Sequence, residues 1–187
     1  TAEPVKGLIL IAMDACRYKE NSTGPITGGK FSSETLSWII KRIKEAKTNN
    51  KIIIGMMHHN ILEHYTGQST IAAEYIVDDF NNVSQQFSEA GMNIIFTGHY
   101  HSQDIVSKYF GSNFLYDIET GSLVTFPNPF RLLNLSAEKV LTVNSRHVEN
   151  INYNTGGKTF QQYSKDFIET GVTEIVKNYL ISTYGMS

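Results

Sequence analysis

The chain has 187 residues, of which 41% are hydrophobic and 18% are charged. This composition is typical of a globular protein with one core of ordinary size, and it argues against a disordered chain. Sixteen Lys and Arg residues against eighteen Asp and Glu residues leave a formal net charge of −2. The chain therefore lacks the basic footprint of nucleic-acid-binding proteins.

Cysteine content and apolar runs further restrict the possible classes of protein. Cys16 is the only cysteine, which excludes an intramolecular disulfide and a thiolate metal cluster. The longest apolar run, residues 8–13, is too short to span a bilayer, and no signal peptide opens the chain. Because the sequence begins at Thr1 without Met, an upstream targeting segment stays open. We expect a soluble protein, either cytoplasmic or exported.

Apolar strands alternate with amphipathic helices in the first half. The pattern predicts strands over residues 7–12, 51–57 and 93–97. It predicts one helix that starts at Ser32 or Ser33 and buries Leu36, Ile39, Ile40 and Ile43, and a second helix over residues 71–90 that Gly91 ends. This alternation predicts an α/β fold with a parallel sheet.

A long polar loop, residues 14–30, separates the first strand from the first helix. It is rich in Asn, Ser, Thr and Gly. Loops of this length either cover functional sites or lie on the surface as solvated segments, and the sequence favours neither. If the loop covers a site, Arg17, Tyr18 and Lys19 are candidate phosphate contacts.

The second half changes to shorter strands. The pattern predicts strands over residues 105–110, 114–119, 132–135 and 139–148 that are joined by tight turns in antiparallel fashion. From Thr159 onward it predicts one or two amphipathic helices, interrupted near Gly171. Residues 150–187 are therefore expected to form a helical tail that acts as a lid, a packing element or an interaction surface.

Four of the six histidines follow two buried strands. His58 and His59 end one strand, and His99 and His101 end the next strand along the chain. Ligands gather outside the carboxyl ends of strands in open α/β sheets, and neutral imidazole is a common ligand for transition metals. Gly98 is expected to let the backbone turn sharply between the strand and the histidines. The two clusters predict a metal site.

A structural role is the competing interpretation for each histidine. A single histidine at a strand end is more often an ordinary hydrogen-bonded residue than a ligand, and His64 and His147 fit no ligand spacing. Asn60 and Tyr100 are candidate substrate contacts, although loop residues occupy such positions as well. A mononuclear zinc hydrolase is a weaker hypothesis, because the sequence has no His-Glu-x-x-His motif.

The histidine segments resemble two motifs of the calcineurin-like metallophosphoesterases. The segment MHHN, residues 57–60, is similar to the fourth motif of that family, and FTGHYH, residues 96–101, is similar to its closing Gly-His-x-His motif. The flanking segments LIAMD (residues 10–14), GG (28–29), SETLSW (33–38) and ETGSLVTFP (119–127) resemble cyclic-nucleotide-phosphodiesterase-like members. The resemblance covers about residues 7–148.

The resemblance implies a fold and a ligand set. The family fold is a β-sandwich flanked by helices, with two metal ions between the sheets. Carried over by motif, His58 and His99 bind one ion and His101 binds the other, while His59 lies near the substrate. Mn, Fe, Zn or Ni can occupy such sites. Residues 1–149 would then be the C-terminal half of the domain, followed by the helical tail.

The sequence lacks the other motifs of the family. None of the 187 residues forms an Asp-x-His, Gly-Asp or Asn-His motif, so the resemblance implies a missing N-terminal half. We expect a dinuclear phosphoesterase fragment that holds one ion weakly or none and is inactive alone on phosphomono- or diesters. The alternative is a non-catalytic binding or oligomerisation module. An exposed sheet face and edge would favour a homo-oligomer.

Overall fold

A computed structural model describes residues 1–185 of the chain. The chain divides into two compact units, Thr1–Thr120 and Gly121–Ser187. No helix within the described residues is long and apolar enough to cross a membrane, as the sequence predicts. The predicted family domain of residues 1–149 stays a prediction, because compactness does not test family membership.

The first unit is built on one six-stranded sheet. Its strands are β1 (Ala2–Val5), β2 (Leu8–Ala12), β3 (Ile52–Met56), β4 (Ile94–Thr97), β5 (Asp104–Phe110) and β6 (Asn113–Glu119). Their order is β1-β2-β3-β4-β6-β5, with β2, β3, β4 and β6 parallel and the two edge strands antiparallel to their neighbours. The predicted α/β class is confirmed. Strands β5 and β6 pair antiparallel, as predicted, but β6 also pairs in parallel with β4, which the sequence did not predict.

The helix α1 (Ser33–Thr48) begins where the sequence predicts. Ser32 is its N-cap, and the Ser32 side chain accepts a hydrogen bond from the Thr35 N–H. Its buried residues Ile39, Ile43 and Ala46 recur at helical spacing. This face joins the hydrophobic core of the unit, which includes Ile11, Phe87, Ile95 and Leu115.

The long helix predicted over residues 71–90 is wrong in its first half. The structure has a short helix α2 (Gln68–Ile71), a 3₁₀ turn (Ala73–Tyr75) and a separate helix α3 (Phe80–Ala90). Between them Ile76 and Val77 are extended and form isolated β-bridges with Asn60 and Gly29. Tertiary pairing with two loops therefore overrides the helical periodicity. Gly91 ends α3 at φ 117°, as predicted.

The second unit contains a hairpin and one long helix. Strands β7 (Pro129–Leu135) and β8 (Leu141–His147) pair antiparallel, as predicted. The helix α4 (Phe160–Tyr184) is capped by the Thr159 side chain and runs through Gly171 without a break. The predicted interruption is wrong. One glycine destabilises a helix by about 1 kcal/mol, which is too little to end this helix of 25 residues.

Candidate functional site

The two histidine clusters lie at one edge of the sheet. Strands β3 and β4 are parallel neighbours, so their carboxyl ends meet. The ring centroids of His58 and His99 are 4.3 Å apart, and His59 lies 4.7 Å from His99 and 5.4 Å from His58. The Gly98 N–H also donates to the His58 carbonyl at 3.0 Å. The structure thus brings together three of the four histidines that follow the strands.

His101 interacts electrostatically with the histidine cluster. It makes no ring contact in the described structure, but it helps to lower the pKa of His58, after burial and the charge of His59. His99 and His101 adopt positive φ angles of 65° and 64°. Gly98 is not among the residues with positive φ, so the histidines themselves make the turn that the sequence assigned to this glycine. Left-handed non-glycine residues often cluster at functional sites.

The long loop of residues 14–30 contacts the histidines. The Nε2 atom of His59 lies 2.8 Å from the Thr27 carbonyl oxygen. A carbonyl only accepts hydrogen bonds, so Nε2 is the donor and the lone pair of neutral His59 lies on Nδ1. Gly29 packs against the His59 ring so closely that a Cβ there would lie 2.6 Å from Cγ. The loop therefore determines the orientation of this imidazole. A phosphate contact from Arg17, Tyr18 or Lys19 stays a prediction.

Burial favours the neutral form of two of the clustered histidines. It lowers the pKa of His58 and of His99, and the neighbouring histidines lower both further. The carbonyls of Thr27 and Glu74 act in the opposite direction on His99 without reversing the shift. A neutral imidazole has the free lone pair that a metal ligand requires. This state fits the predicted use of His58 and His99.

Two ring nitrogens in the cluster are buried without a hydrogen-bond partner among the described residues. They are Nδ1 of His59 and Nε2 of His99. Metal-binding histidines commonly donate their other ring N–H to a backbone carbonyl, which is what His59 does with Thr27. The donor chemistry therefore suits a transition metal. The geometry does not form a complete site, because no group of three or more His, Cys, Asp or Glu side chains in residues 1–185 could hold an ion.

Aromatic side chains line the histidine cluster on one side. The Tyr75 ring lies 4.7 Å from His99 and 5.0 Å from Tyr100, and the Tyr65 ring lies 5.5 Å from Tyr100. A hydrogen bond with Tyr100 raises the pKa of Tyr65 to about 12. Sequence reasoning singled out Tyr100 alone. The two other tyrosines follow no strand and had no spacing to reveal them.

Asn60, a predicted substrate contact, lies in a buried hydrogen-bond network. Its side chain is fully buried, donates to the Thr97 hydroxyl at 3.1 Å and accepts from Gln68 at 2.9 Å. It therefore links the loop after β3 to the end of β4. Its use as a substrate contact stays a prediction, as does that of Tyr100, which is exposed.

Known proteins add no assignment to this site. A comparison of the chain with models of protein families finds no match, and a comparison with curated proteins finds none either.

Proposed function

We propose that this chain supplies the histidines of a divalent-metal centre in a calcineurin-like phosphoesterase, with His58, His99 and His101 as ligands. The observation that carries the proposal is the 4.3 Å approach of His58 and His99 from neighbouring parallel strands. The lowered pKa of each residue and the unpartnered Nε2 of His99 support it. Mn, Fe, Zn and Ni all accept such ligands.

The proposal extends to the fold of the chain. We interpret the α/β sheet as half of the family sandwich, and the absent Asp-x-His, Gly-Asp and Asn-His motifs as contributions of an N-terminal half. When bound, the two ions of such a centre supply a hydroxide nucleophile and neutralise charge on a phosphoester. The histidines of this chain would bind the ions, and the Thr27 carbonyl, which is bonded to His59, would orient that ring beside the substrate. We expect the chain alone to be inactive.

Metal titration of the chain tests the ligand assignment. Calorimetric titration with Mn²⁺ and Ni²⁺ should show weak binding that His99→Ala abolishes and His147→Ala leaves unchanged, because His147 lies on β8 in the second unit. In the full-length parent, His99→Ala should likewise abolish turnover of bis-p-nitrophenyl phosphate, and His147→Ala should leave it unchanged. Equal behaviour of His99→Ala and wild type in both assays rejects the proposal.

A non-catalytic oligomerisation module is the second candidate. The observation in its favour is the series of exposed apolar residues Val172, Ile175, Val176 and Tyr179 on α4. Exposed apolar side chains of this kind favour self-association. Sedimentation of the wild type and of Ile175→Asp decides this point, since a module of this type requires an oligomer that the substitution dissociates. A wild-type monomer at all concentrations rejects it.

A further inference from the structure

Three buried ionisable side chains form a second cluster at strand β6 and the loop after β3. Asp117 and Glu119 occupy alternate positions on β6, so both point to the same face of the sheet. His64 lies between them, with Nε2 3.5 Å from Asp117 Oδ2 and Nδ1 4.0 Å from Glu119 Oε2. Its Nδ1 is also 3.0 Å from Asp104 Oδ2. The side chain of His64 is 2% exposed, and those of Asp117 and Glu119 are 0% exposed.

Asp117 binds the loop that carries the first histidine pair. Its Oδ2 accepts hydrogen bonds from the backbone N–H groups of Ile61 and Leu62 at 2.7 and 3.0 Å. Its Oδ1 accepts one from the Thr97 hydroxyl at 2.5 Å. Ile61 lies two residues after His59, and Thr97 lies two residues before His99. One carboxylate therefore contacts the chain beside both histidine motifs.

Glu119 binds the loop that carries the second pair. Ser102, which directly follows His101, donates its backbone N–H to Oε1 at 3.2 Å and its hydroxyl to Oε2. His64, between the two carboxylates, belongs to the loop after β3. The cluster thus connects the segments on either side of the candidate ligands through a single strand, β6.

Buried amides close the network. Gln68 accepts from the His64 backbone N–H at 2.7 Å and donates to Asn60, which in turn donates to Thr97. Asn60, Gln68 and Thr97 are all buried. His64 Nε2 is 3.5 Å from Asp117 Oδ2 and has no hydrogen-bond partner among the described residues, so its contact with Asp117 is electrostatic. A buried polar network favours the arrangement that pairs most of its members, because an unpaired buried group costs a desolvation penalty. The network therefore favours one relative position of the two loops.

We infer that Asp117, Glu119 and His64 are positioning residues, which hold the two histidine loops so that His58 and His99 can bind the same metal ion. The inference rests on the proposed function for its consequence, metal binding, but the loop placement stands independently of that function. The charges around His64 agree with this role. Burial lowers the pKa of His64, but hydrogen bonds and charges from Asp117, Asp104 and Glu119 outweigh it and raise the pKa above its ordinary value.

Nuclear magnetic resonance on the labelled 187-residue chain tests the placement. The nuclear Overhauser effect between the rings of His58 and His99 reports the 4.3 Å contact directly. His64→Gln and Ser102→Ala each remove one connection, whereas His147→Gln replaces an exposed histidine outside the network. Titration with Ni²⁺ alone follows the consequence. Circular dichroism establishes that each variant is folded.

We expect folded His64→Gln to weaken the ring contact and to lower Ni²⁺ affinity by about 10–100-fold, the usual effect of removing an outer partner of a metal ligand. The His147→Gln control should change neither. A folded His64→Gln with unchanged ring contact overturns the inference, and if that variant fails to fold, Ser102→Ala decides by the same criterion. A wild type that binds no Ni²⁺, together with a full-length parent whose turnover His99→Ala leaves unchanged, refutes the proposed function, while the ring contact alone decides the positioning role.

Discussion

Substitution of Gly29 by alanine should destabilise the first unit through the His59 ring. A Cβ at Gly29 would lie 2.6 Å from His59 Cγ and 2.8 Å from Nδ1. The His59 side chain cannot move freely, because it is 1% exposed and its Nε2 is bonded to the Thr27 carbonyl. Real Cβ atoms do not approach neighbours this closely, so the ring or the loop must shift.

The expected cost follows from overpacking and from the hydrogen bond at risk. Overpacking of a filled site costs about 1–3 kcal/mol, and loss of one hydrogen bond costs about 1 kcal/mol more. Gly28→Ala is a matched control, since a Cβ there meets only Glu74 Cα at 3.9 Å. Both substitutions gain about 0.4–1 kcal/mol from the reduced entropy of the unfolded chain. Their difference should therefore be about 2–4 kcal/mol.

Urea unfolding of the two variants measures this difference. Gly29→Ala should unfold at lower urea than wild type, whereas Gly28→Ala should unfold at equal or higher urea. Thermal midpoints should differ by about 3 °C for each kcal/mol in a chain of this size. Free energies of unfolding that agree within about 0.5 kcal/mol, which is the error of the method, would refute the reasoning.

Three further changes have defined outcomes. Phe87→Ala, at a fully buried side chain that packs on Phe31, should cost about 3–5 kcal/mol in urea unfolding. Ser32→Ala removes the cap of α1 and should cost about 1 kcal/mol, and Ser32→Gly should recover most of that loss. The folded pKa of His64 is raised, so its stabilisation is present below its unfolded pKa of about 6.5 and lost as pH rises through the folded pKa. Wild type should therefore lose stability relative to His64→Gln as pH rises above about 6.5, and a constant difference across that range would contradict the assignment.

The strands and the histidine pairs could be predicted because their signals are local. The apolar runs of residues 7–12, 51–57 and 93–97 are strands in the structure within one or two residues at each end, and the structure brings His58 and His99 together as their positions predict. The segment 71–90 failed as one helix because pairing of Ile76 and Val77 with distant loops is not encoded in local periodicity. Helix periodicity reports only neighbours three or four residues apart.

The buried cluster escaped prediction for the same reason. His64 fits no ligand spacing, and its partners Asp117 and Glu119 lie more than fifty residues away in sequence, on a strand whose alternation indicates only which face is buried. Only the parallel pairing of β4 with β6 brings these residues together. Thr27 was missed likewise, because a backbone carbonyl has no sequence signature.

Histidines at this edge of the sheet have opposite protonation preferences. Burial beside other imidazoles lowers the pKa of His58 and His99, whereas hydrogen bonds and charges from three carboxyl-bearing residues raise the pKa of His64 despite its burial. The neutral form of His58 and His99 is therefore favoured, whereas the charged form of His64 is favoured between Asp117 and Glu119. The fold thus favours the neutral or the charged form of the same residue type according to which neighbours it brings to the ring.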